Sequence, residues 1–279
     1  VQTCALPILF LVGGATAMWA EYQPNPTLNI ASVEQTAPME GKESRFGTTG
    51  SVLWTATTTA ASNGSVNAMH DSLNPLTGMV ALVNMMVGEV IFGGVGAGLY
   101  GMLLNVLIAV FLAGLMIGRT PEYLGKKLQA REVQLLVATL LVMPVGVLVF
   151  GALAASLPGP MAAVSNPGPH GFSQLLYAYT SATANNGSAF AGYSANTLFH
   201  NLMLSLSMFL GRFGYILPVL ALAGSLAAKK TAPLGLNSFP THGTLFVTLL
   251  TMTILLIGGL NFLPTLALGP IAEHLSMGF

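Results

Sequence analysis

The residues best suited to chemistry in this sequence form two short polar turns. The tripeptide Asn-Gly-Ser occurs at residues 63–65, within AASNGSVN (the first turn), and at residues 186–188, within TANNGSAF (the second turn). Such turns offer backbone and side-chain oxygens, which hard cations such as potassium prefer, and glycine adopts the dihedral angles that aim successive carbonyls at one axis. The candidate cation-binding residues are Asn63, Gly64, Ser65, Asn186, Gly187 and Ser188.

Each turn follows a segment that is too short to cross a membrane. Residues 48–61 and 172–184 fall short of the about 20 residues that a spanning helix needs. Asn63 and Asn186 are 123 positions apart, which gives the period of an internal repeat. Asn-Gly is also a hairpin signal, and Asn-Gly-Ser is an N-glycosylation sequon. Its recurrence after a half-length helix favours two re-entrant turns that line a pore, with the negative helix ends directed at the cation.

The composition indicates a membrane protein. The chain has 279 residues, of which 53% are hydrophobic and 6% charged, and a mean hydropathy of +0.71. Soluble domains are about 25% charged. The apolar residues form continuous blocks rather than the alternating segments of a barrel. The sequence therefore predicts an all-α, polytopic membrane protein, and its zero net charge gives no sign of a nucleic-acid partner.

The apolar blocks give the order of the elements. A first apolar segment ends near Trp19 and Glu21, before a polar loop at 21–47. The further predicted spans are residues 78–118, broken by GGVGAG at 93–98; residues 133–157; residues 197–228, broken by GRFG; and residues 244–270.

Basic residues predict the orientation. One short loop holds Lys126, Lys127 and Arg131, and another holds Lys229 and Lys230, so both loops are expected to be cytoplasmic. The loops at 21–47 and 158–171 then lie outside, provided that both half-length segments enter and leave on the outer side. We therefore expect a span, a re-entrant segment and a broken span, then the same three again, then a final span.

Ionisable residues within apolar blocks are candidates for function. Glu89 either lines a vestibule or tunnel or pairs with an arginine of another helix. Arg212 either limits how far a cation penetrates or forms an interhelical salt bridge. Asp71 either attracts cations at the outer mouth or is a solvated rim charge. The five histidines show no metal-ligand spacing and are interpreted as interface or loop residues.

The first eight residues, VQTCALPI, match the translation of a common sequencing-library adapter. We expect them to be an assembly artefact and the chain to be a fragment that lacks its true N-terminus. In that case Cys4 is not native. The alternatives are the start of a real apolar helix or a signal peptide, although the basic n-region of a signal peptide is missing.

Several longer motifs resemble one known family. They are MEGKESRFG (39–47), AMHDS (68–72), GLMIGRTPEYLGKK (114–127), NPGPHGFSQLLYA (166–178), NNGSAFAG (185–192), GRFGYILPV (211–219) and LALGPIAEHL (266–275). They resemble the potassium-binding A subunit (KdpA) family of the bacterial Kdp potassium-transporting P-type ATPases. The likeness runs from about residue 17 to the end of the chain.

The resemblance implies a channel-like fold of the superfamily of potassium transporters, with four helix–P-loop–helix repeats around one pore. This chain looks like the third and fourth repeats. Residues 9–132 are expected to form the third repeat with its cytoplasmic loop, residues 133–235 the fourth, and residues 236–279 a C-terminal transmembrane helix, after an artefact at 1–8. The family often has Cys-Gly where this chain has Asn63-Gly64. The resemblance favours a gating role for Arg119 at the interruption of the third repeat's second helix, and the alternative is a cytoplasmic anchor.

The implied function is to bind extracellular K+ at a selectivity filter and pass it to a separate P-type ATPase subunit (KdpB), with small C and F subunits alongside. ATP and Mg2+ are expected only on KdpB, because this sequence has neither a phosphate-binding glycine loop followed by Lys-Ser/Thr nor an Asp-Lys-Thr-Gly motif. The implied location is the bacterial inner membrane, with the P-loops on the periplasmic side. The alternatives are a stand-alone Trk/Ktr-type channel or secondary K+ transporter, and a membrane scaffold that transports nothing.

Overall fold

The computed structural model describes residues 2–26, 37–94, 98–231 and 239–278. The α-helices in these ranges are α1 Gln2–Glu21, α2 Gly47–Ala60, α3 Pro75–Met86, α4 Gly98–Ile117, α5 Ala130–Ala155, α6 Pro158–Met161, α7 Gly168–Ala184, α8 Leu198–Ala228 and α9 Gly243–Met277, and a single 3-10 turn is His70–Ser72. Parts of the expected loops at 21–47 and 229–243, part of GGVGAG, and the expected boundary between residues 235 and 236 lie outside the described residues.

The predicted all-α membrane architecture is confirmed. Within the described ranges, five helices are long and apolar enough to cross a membrane, namely α1 from Cys4 onward, α4, α5, α8 and α9. The structure also contains a small hairpin that the sequence did not predict: strand β1 Glu122–Tyr123 pairs antiparallel with β2 Lys126–Lys127 between α4 and α5. Helix α5 begins at Ala130, three residues before the expected start of the fourth repeat.

The half-length helices α2 and α7 have 14 and 17 residues. At 1.5 Å per residue they are about 21 and 26 Å long, shorter than the about 30 Å of a bilayer core. Helix α2 is rich in hydroxyl residues and yet mostly buried. The hydroxyls of Ser51, Thr55 and Thr59 each donate to the carbonyl four residues earlier, so these side chains are satisfied inside the protein.

The repeat period of 123 residues also appears in the helix bounds. Helix α3 is Pro75–Met86, and the first part of α8 is Leu198–Phe209, each 12 residues long. The first residues of these two helices are 123 positions apart, and so are their last residues. The α-helix that follows each turn therefore begins at the equivalent position.

The two predicted breaks have different outcomes. Helix α3 ends at Met86 and α4 begins at Gly98, so the first broken span is two helices. The break predicted at GRFG is wrong, because α8 continues through a five-residue π-helical turn, Leu210–Gly214. Pro218 lacks the N–H that would pair with the carbonyl of Gly214, and a π-turn absorbs such a mismatch without ending the helix.

Helices α5 and α9 contain similar π-helical turns, at Val145–Val149 and Ala267–Ile271, and all three turns pack on α7. A Cβ atom at Gly146 or Gly211 would collide with Thr183 near the C-terminal end of α7. A Cβ at Gly269 would stand 2.9 Å from Oγ of Ser173 near its other end. Helix α7 is therefore held along its length by three irregular helices.

The two basic loops lie at the same end of the molecule, as the sequence predicted. Lys126 Nζ donates to the carbonyl of Leu226 at 2.6 Å. Lys229 Nζ lies 2.5 Å from the carboxylate of Glu132 and donates to the carbonyl of Lys127 at 2.8 Å.

Candidate cation-binding site

Each half-length helix is followed, within two residues, by a residue with positive φ. Helix α2 ends at Ala60, and Ser62 has φ +53°; helix α7 ends at Ala184, and Asn185 has φ +58°. Asparagine tolerates this region better than most residues. The left-handed residue stops the helix and turns the chain back, so that Asn-Gly-Ser follows as a turn.

The same backbone hydrogen bond closes both turns. The N–H of Asn63 donates to the carbonyl of Thr58 at 3.0 Å, and the N–H of Asn186 donates to the carbonyl of Ser181 at 3.0 Å. Both donors and both acceptors are 123 positions apart. The sequence repeat is therefore a repeat of local geometry.

The asparagine side chains complete the turns. Oδ1 of Asn63 accepts from the N–H of Ser65 at 2.8 Å, and Oδ1 of Asn186 accepts from the N–H of Ser188 at 3.0 Å. In each turn the asparagine side chain thus provides an acceptor for the backbone N–H of the serine that follows the glycine. This leaves the glycine between two tethered residues.

A hydroxyl residue five positions before each asparagine also contacts its turn. The hydroxyl of Thr58 donates to the carbonyl of Ser65 at 2.8 Å and lies against the carbonyl of Asn63. The hydroxyl of Ser181 accepts from the N–H of Gly187 at 3.1 Å. The half-length helices therefore hold the turns with side chains as well as backbone.

The two turns meet backbone to backbone at their glycines. A Cβ on Gly64 would stand 2.9 Å from both the carbonyl oxygen of Asn186 and Cα of Gly187. A Cβ on Gly187, which has φ +99°, would stand 3.4 Å from Cα of Gly64. Only glycine fits this approach without displacing the opposite backbone.

The arrangement offers oxygen ligands for a cation. The carbonyl of Asn186 faces Gly64, whereas the carbonyls of Asn63 and Ser65 are bonded to Thr58. The C-terminal ends of α2 and α7 lie beside the turns, and their partial negative charge favours a cation there.

Glu89 lies directly behind the turns. It is 1% exposed, and its carboxylate accepts from Nδ2 of Asn186 at 2.6 Å and from the side chain of Ser62. The sequence offered a vestibule position or an arginine pair. Among the described residues, the hydrogen bonds seen for Glu89 go to residues of both turns rather than to an arginine.

Asp71 belongs to a hydrogen-bonded group that we call the His170 cluster: Asp71, His170, Gln174 and Glu273. His170 lies 3.1 Å from the Asp71 carboxylate through Nε2 and 2.6 Å from Glu273 through Nδ1, and Nε2 of Gln174 donates to Asp71 at 2.9 Å. Burial alone would lower the pKa of His170, but the two carboxylates outweigh it and raise the pKa to about 9. Burial likewise opposes ionisation of Asp71, but its hydrogen bonds with His170 and Gln174 lower the pKa. Asp71 is therefore a paired carboxylate rather than an isolated rim charge.

The two arginine candidates lie apart from each other. Arg212 is half-buried in the π-turn of α8, next to Gly211, which packs against Thr183 at the end of α7. Arg119 is exposed beyond the end of α4, and its N–H donates to the carbonyl of Gly114 at 2.8 Å. The interruption lies before α4, a helix of 20 residues, and thus about 30 Å from Arg119 along the helix axis. The structure does not bring Arg119 to the interruption.

Sequence reasoning missed four residues that support the turns: Thr58, Ser181, His70 and Tyr177. The first two carried a signal, because a hydroxyl residue stands five positions before the asparagine in both copies. His70 was interpreted as an interface or loop residue, but it is 1% exposed, and its Nδ1 lies 2.9 Å from the hydroxyl of Tyr177, 107 positions away. Nothing local in the sequence indicates that contact.

Comparisons with known proteins identify the family of this chain. The family model described as KdpA, the potassium-transporting ATPase A subunit, matches residues 2–275. Among similar proteins, the potassium-transporting ATPase potassium-binding subunits of Pseudomonas fluorescens (strain Pf0-1), Pseudomonas aeruginosa and Rhodospirillum centenum are 86%, 78% and 63% identical over 271, 272 and 274 residues. These matches cover 97–98% of this chain and 48% of each relative, so the chain spans about half the length of the curated relatives it matches. The chain belongs to the KdpA family of potassium-transporting ATPase A subunits.

Proposed function

We propose that this chain is the C-terminal half of the potassium-binding subunit of an ATP-driven K+ importer, and that its two turns form half of a selectivity filter. The observation that carries the proposal is the pair of turns with the same hydrogen bonds that meet at Gly64 and Gly187. A filter replaces the hydration shell of K+ with rings of carbonyl oxygens, and such rings need glycine-containing turns at one axis.

The family suggests how the halves combine. We assign the first turn to the third repeat, residues 9–132, and the second turn to the fourth repeat, residues 133–235, followed by the C-terminal helix in residues 236–279. Two further turns on the other half of the subunit complete the ring. The chain spans about half of its relatives, which supports this division.

The proposed path starts outside the bacterial inner membrane. K+ enters the filter from the periplasmic side and passes to a separate P-type ATPase subunit, KdpB, which holds ATP and Mg2+, with small C and F subunits alongside. The position of both basic loops at one end of the molecule supports this orientation, because such loops face the cytoplasm. In this scheme Glu89 supports the filter turns, and Arg212 is a fixed positive charge beside the end of α7 that limits cation entry.

The test is K+-stimulated ATPase activity of the full-length complex with Gly187→Asp. The new side chain intrudes where the carbonyls converge, so we expect the half-activating K+ concentration to rise at least about tenfold, which corresponds to about 1.4 kcal/mol. The matched control is Gly243→Asp, since Gly243 also has positive φ (+82°) and an added Cβ meets nothing within 4 Å. An unchanged K+ dependence in Gly187→Asp would refute the filter assignment.

K+ uptake into liposomes separates the importer from a stand-alone channel. The importer requires ATP hydrolysis for uptake, whereas a Trk/Ktr-type channel passes K+ across the liposome membrane without it. We also expect that this 279-residue chain alone does not conduct, because half a ring leaves the ion partly unligated. Selective K+ flux through the purified chain in liposomes would overturn that expectation.

A further inference from the structure

A chain of hydrogen bonds runs behind the second turn and ends on Glu89. It passes in order through Thr55, His70, Tyr177, Ser188, Asn186 and Glu89, with separations of 3.2, 2.9, 2.8, 2.6 and 2.6 Å. Each of these residues is at most 5% exposed. The chain joins α2, the segment after the first turn, α7, the second turn and the segment after α3.

The direction of every bond follows from the second turn. The N–H of Ser188 fixes Oδ1 of Asn186 as an acceptor, so Nδ2 of Asn186 donates to Glu89. The single hydroxyl proton of Ser188 then goes to Oδ1 of Asn186, so the oxygen of Ser188 accepts from the hydroxyl of Tyr177.

The tautomer of His70 follows in turn. The oxygen of Tyr177 accepts from Nδ1–H of His70, and Nε2 of His70 is left to accept from Thr55, whose proton is shared with the carbonyl of Ser51 at 2.9 Å. Burial lowers the pKa of His70 to about 4, so the ring is neutral near pH 7, with one donor and one acceptor. All bonds from His70 to Glu89 therefore point one way.

The equivalent position of the other repeat makes a similar contact. Trp54 stands 123 positions before Tyr177, and its Nε1–H donates to the carbonyl of Ser65 at 3.1 Å. Each half-length helix thus supports the serine after its own turn glycine with an aromatic donor. Tyr177 differs in having a second partner, His70, which comes from the segment after the opposite turn.

We propose that His70 and Tyr177 are positioning residues that hold the second turn across the repeat boundary and thereby set its preference for K+. The proposal rests on the proposed filter function. A fully satisfied buried network is rigid, and the discrimination of K+ from ions of other size depends on how firmly the carbonyls of the turn are held.

The main test is Tyr177→Phe in the full-length complex, with K+ and Rb+ as activating ions. Phenylalanine keeps the ring stacked on Phe190, at 4.2 Å between centroids, and removes only the hydroxyl. We expect the half-activating K+ concentration to rise about five- to tenfold, the ratio of half-activating Rb+ to K+ concentrations to fall, and the maximal rate to stay within about twofold.

The matched control is Tyr179→Phe. Tyr179 is on the same helix and equally buried. Its hydroxyl bonds Nδ1 of His200 at 3.2 Å, and this bond is not part of the row of hydrogen bonds from Thr55 to Glu89. We expect its ion dependence to match the wild type. A selectivity change of equal size in Tyr179→Phe would overturn the proposal, because it would show that any hydroxyl lost from this helix has the same effect.

His70 provides a second, independent test. His70→Leu removes the group that donates to the Tyr177 oxygen and leaves that hydroxyl bonded only to Ser188. His70→Asn instead places an amide N–H near the position of Nδ1. We expect His70→Leu to weaken K+ affinity, His70→Asn to restore at least half of the loss in logarithmic terms, and the double variant with Tyr177→Phe to be less than additive. If the His70 and Tyr177 variants keep wild-type affinity and selectivity while Gly187→Asp loses affinity, the positioning role is wrong and the filter stands. If Gly187→Asp also has no effect, the filter itself is wrong.

Discussion

Nδ2 of Asn186 lies 2.6 Å from the carboxylate of Glu89, although the two residues are 97 positions apart. The contact joins the second turn to the segment that follows the end of α3. Glu89 and Arg212 are 123 positions apart and therefore occupy equivalent positions in the two repeats, where they carry opposite charges. Glu89, in the repeat of the first turn, is hydrogen-bonded to Asn186 of the second turn.

Glu89→Gln should weaken K+ binding without abolishing it. The glutamine carbonyl still accepts from Asn186, but a neutral acceptor bonds about half as strongly as a carboxylate. We expect the half-activating K+ concentration for ATPase activity to rise about three- to tenfold. Glu89→Leu should have a larger effect, because it leaves the buried Asn186 amide with only its longer bond to the Thr58 carbonyl, at 3.4 Å.

The control for this prediction is Glu43→Gln, because Glu43 is exposed and pairs with Arg45 at the surface. Its K+ dependence should match the wild type. Equal affinities for wild type, Glu89→Gln and Glu89→Leu would contradict a role of this carboxylate in holding the turn.

The sequence was sufficient to predict the helical class, the two half-length helices and the paired turns. These features depend on local properties: apolar runs set span lengths, and Asn-Gly-Ser sets a turn. The period of 123 residues survives in the structure because Thr58 and Ser181 close their turns in the same way.

Features that depend on packing between distant segments could not be predicted. GRFG suggested a break, but Gly211 allows α8 to approach the Thr183 carbonyl while a π-turn keeps the helix continuous. The partners of Glu89 and His70 lie 97 and 107 positions away. Such contacts depend on how α3 and α7 pack, and no local pattern encodes that.

The His170 cluster should make stability depend on pH. The folded-state pKa of His170, about 9, lies above the ordinary value near 6.5, so its contribution is complete below pH 6.5 and is lost as pH rises through 9. The pKa of Asp71 is lowered, so its contribution is present above its ordinary value and is lost as pH falls into the acid range. The cluster therefore stabilises most between about pH 4 and 6.5.

This dependence can be read from the melting temperature of the detergent-solubilised complex at pH 6 and pH 9. His170→Gln should melt lower than wild type at pH 6 and differ little at pH 9, with a loss of at most about 3 kcal/mol. His242→Gln is the control, because His242 is exposed at the start of α9. The same loss at both pH values would show that the imidazolium charge is not involved.

Lys42 and Glu21 form a fully buried ion pair at 2.6 Å, and the same carboxylate accepts from the N–H of Asn74 at 2.9 Å. Lys42→Met leaves a buried carboxylate without its cation, so we expect the free energy of unfolding to fall by about 3–5 kcal/mol. Arg45→Met breaks an exposed pair and should cost less than about 1 kcal/mol.

The double variant Glu21→Gln with Lys42→Met tests the cause. Removal of both charges should recover part of the loss, because no unpaired charge remains buried. Thermal unfolding of the three variants is the measurement. A double variant as unstable as the sum of its single changes would show that the pair acts through packing rather than charge.

Asn185 combines a left-handed backbone with a side-chain bridge to α8. Its φ is +58°, and Nδ2 donates to the carbonyls of Thr183 and Met208, each at 3.2 Å. Asn185→Gly keeps the backbone geometry and loses the bridge. Asn185→Ala also loses the bridge but keeps a Cβ in the left-handed region, which costs about 1–2 kcal/mol relative to glycine. Asn185→Asp directs a carboxylate at two carbonyl oxygens and should destabilise most.

We therefore expect the melting temperature of the complex to fall in the order wild type, Asn185→Gly, Asn185→Ala, Asn185→Asp. Equal melting temperatures for the glycine and alanine variants would show that the backbone at this position relaxes out of the left-handed region. Equal values for glycine and wild type would show that the bridge to Met208 contributes no more than glycine gains by removing the left-handed Cβ. In either case the end of α7 would be held by Thr183 against Gly146 and Gly211 rather than by Asn185.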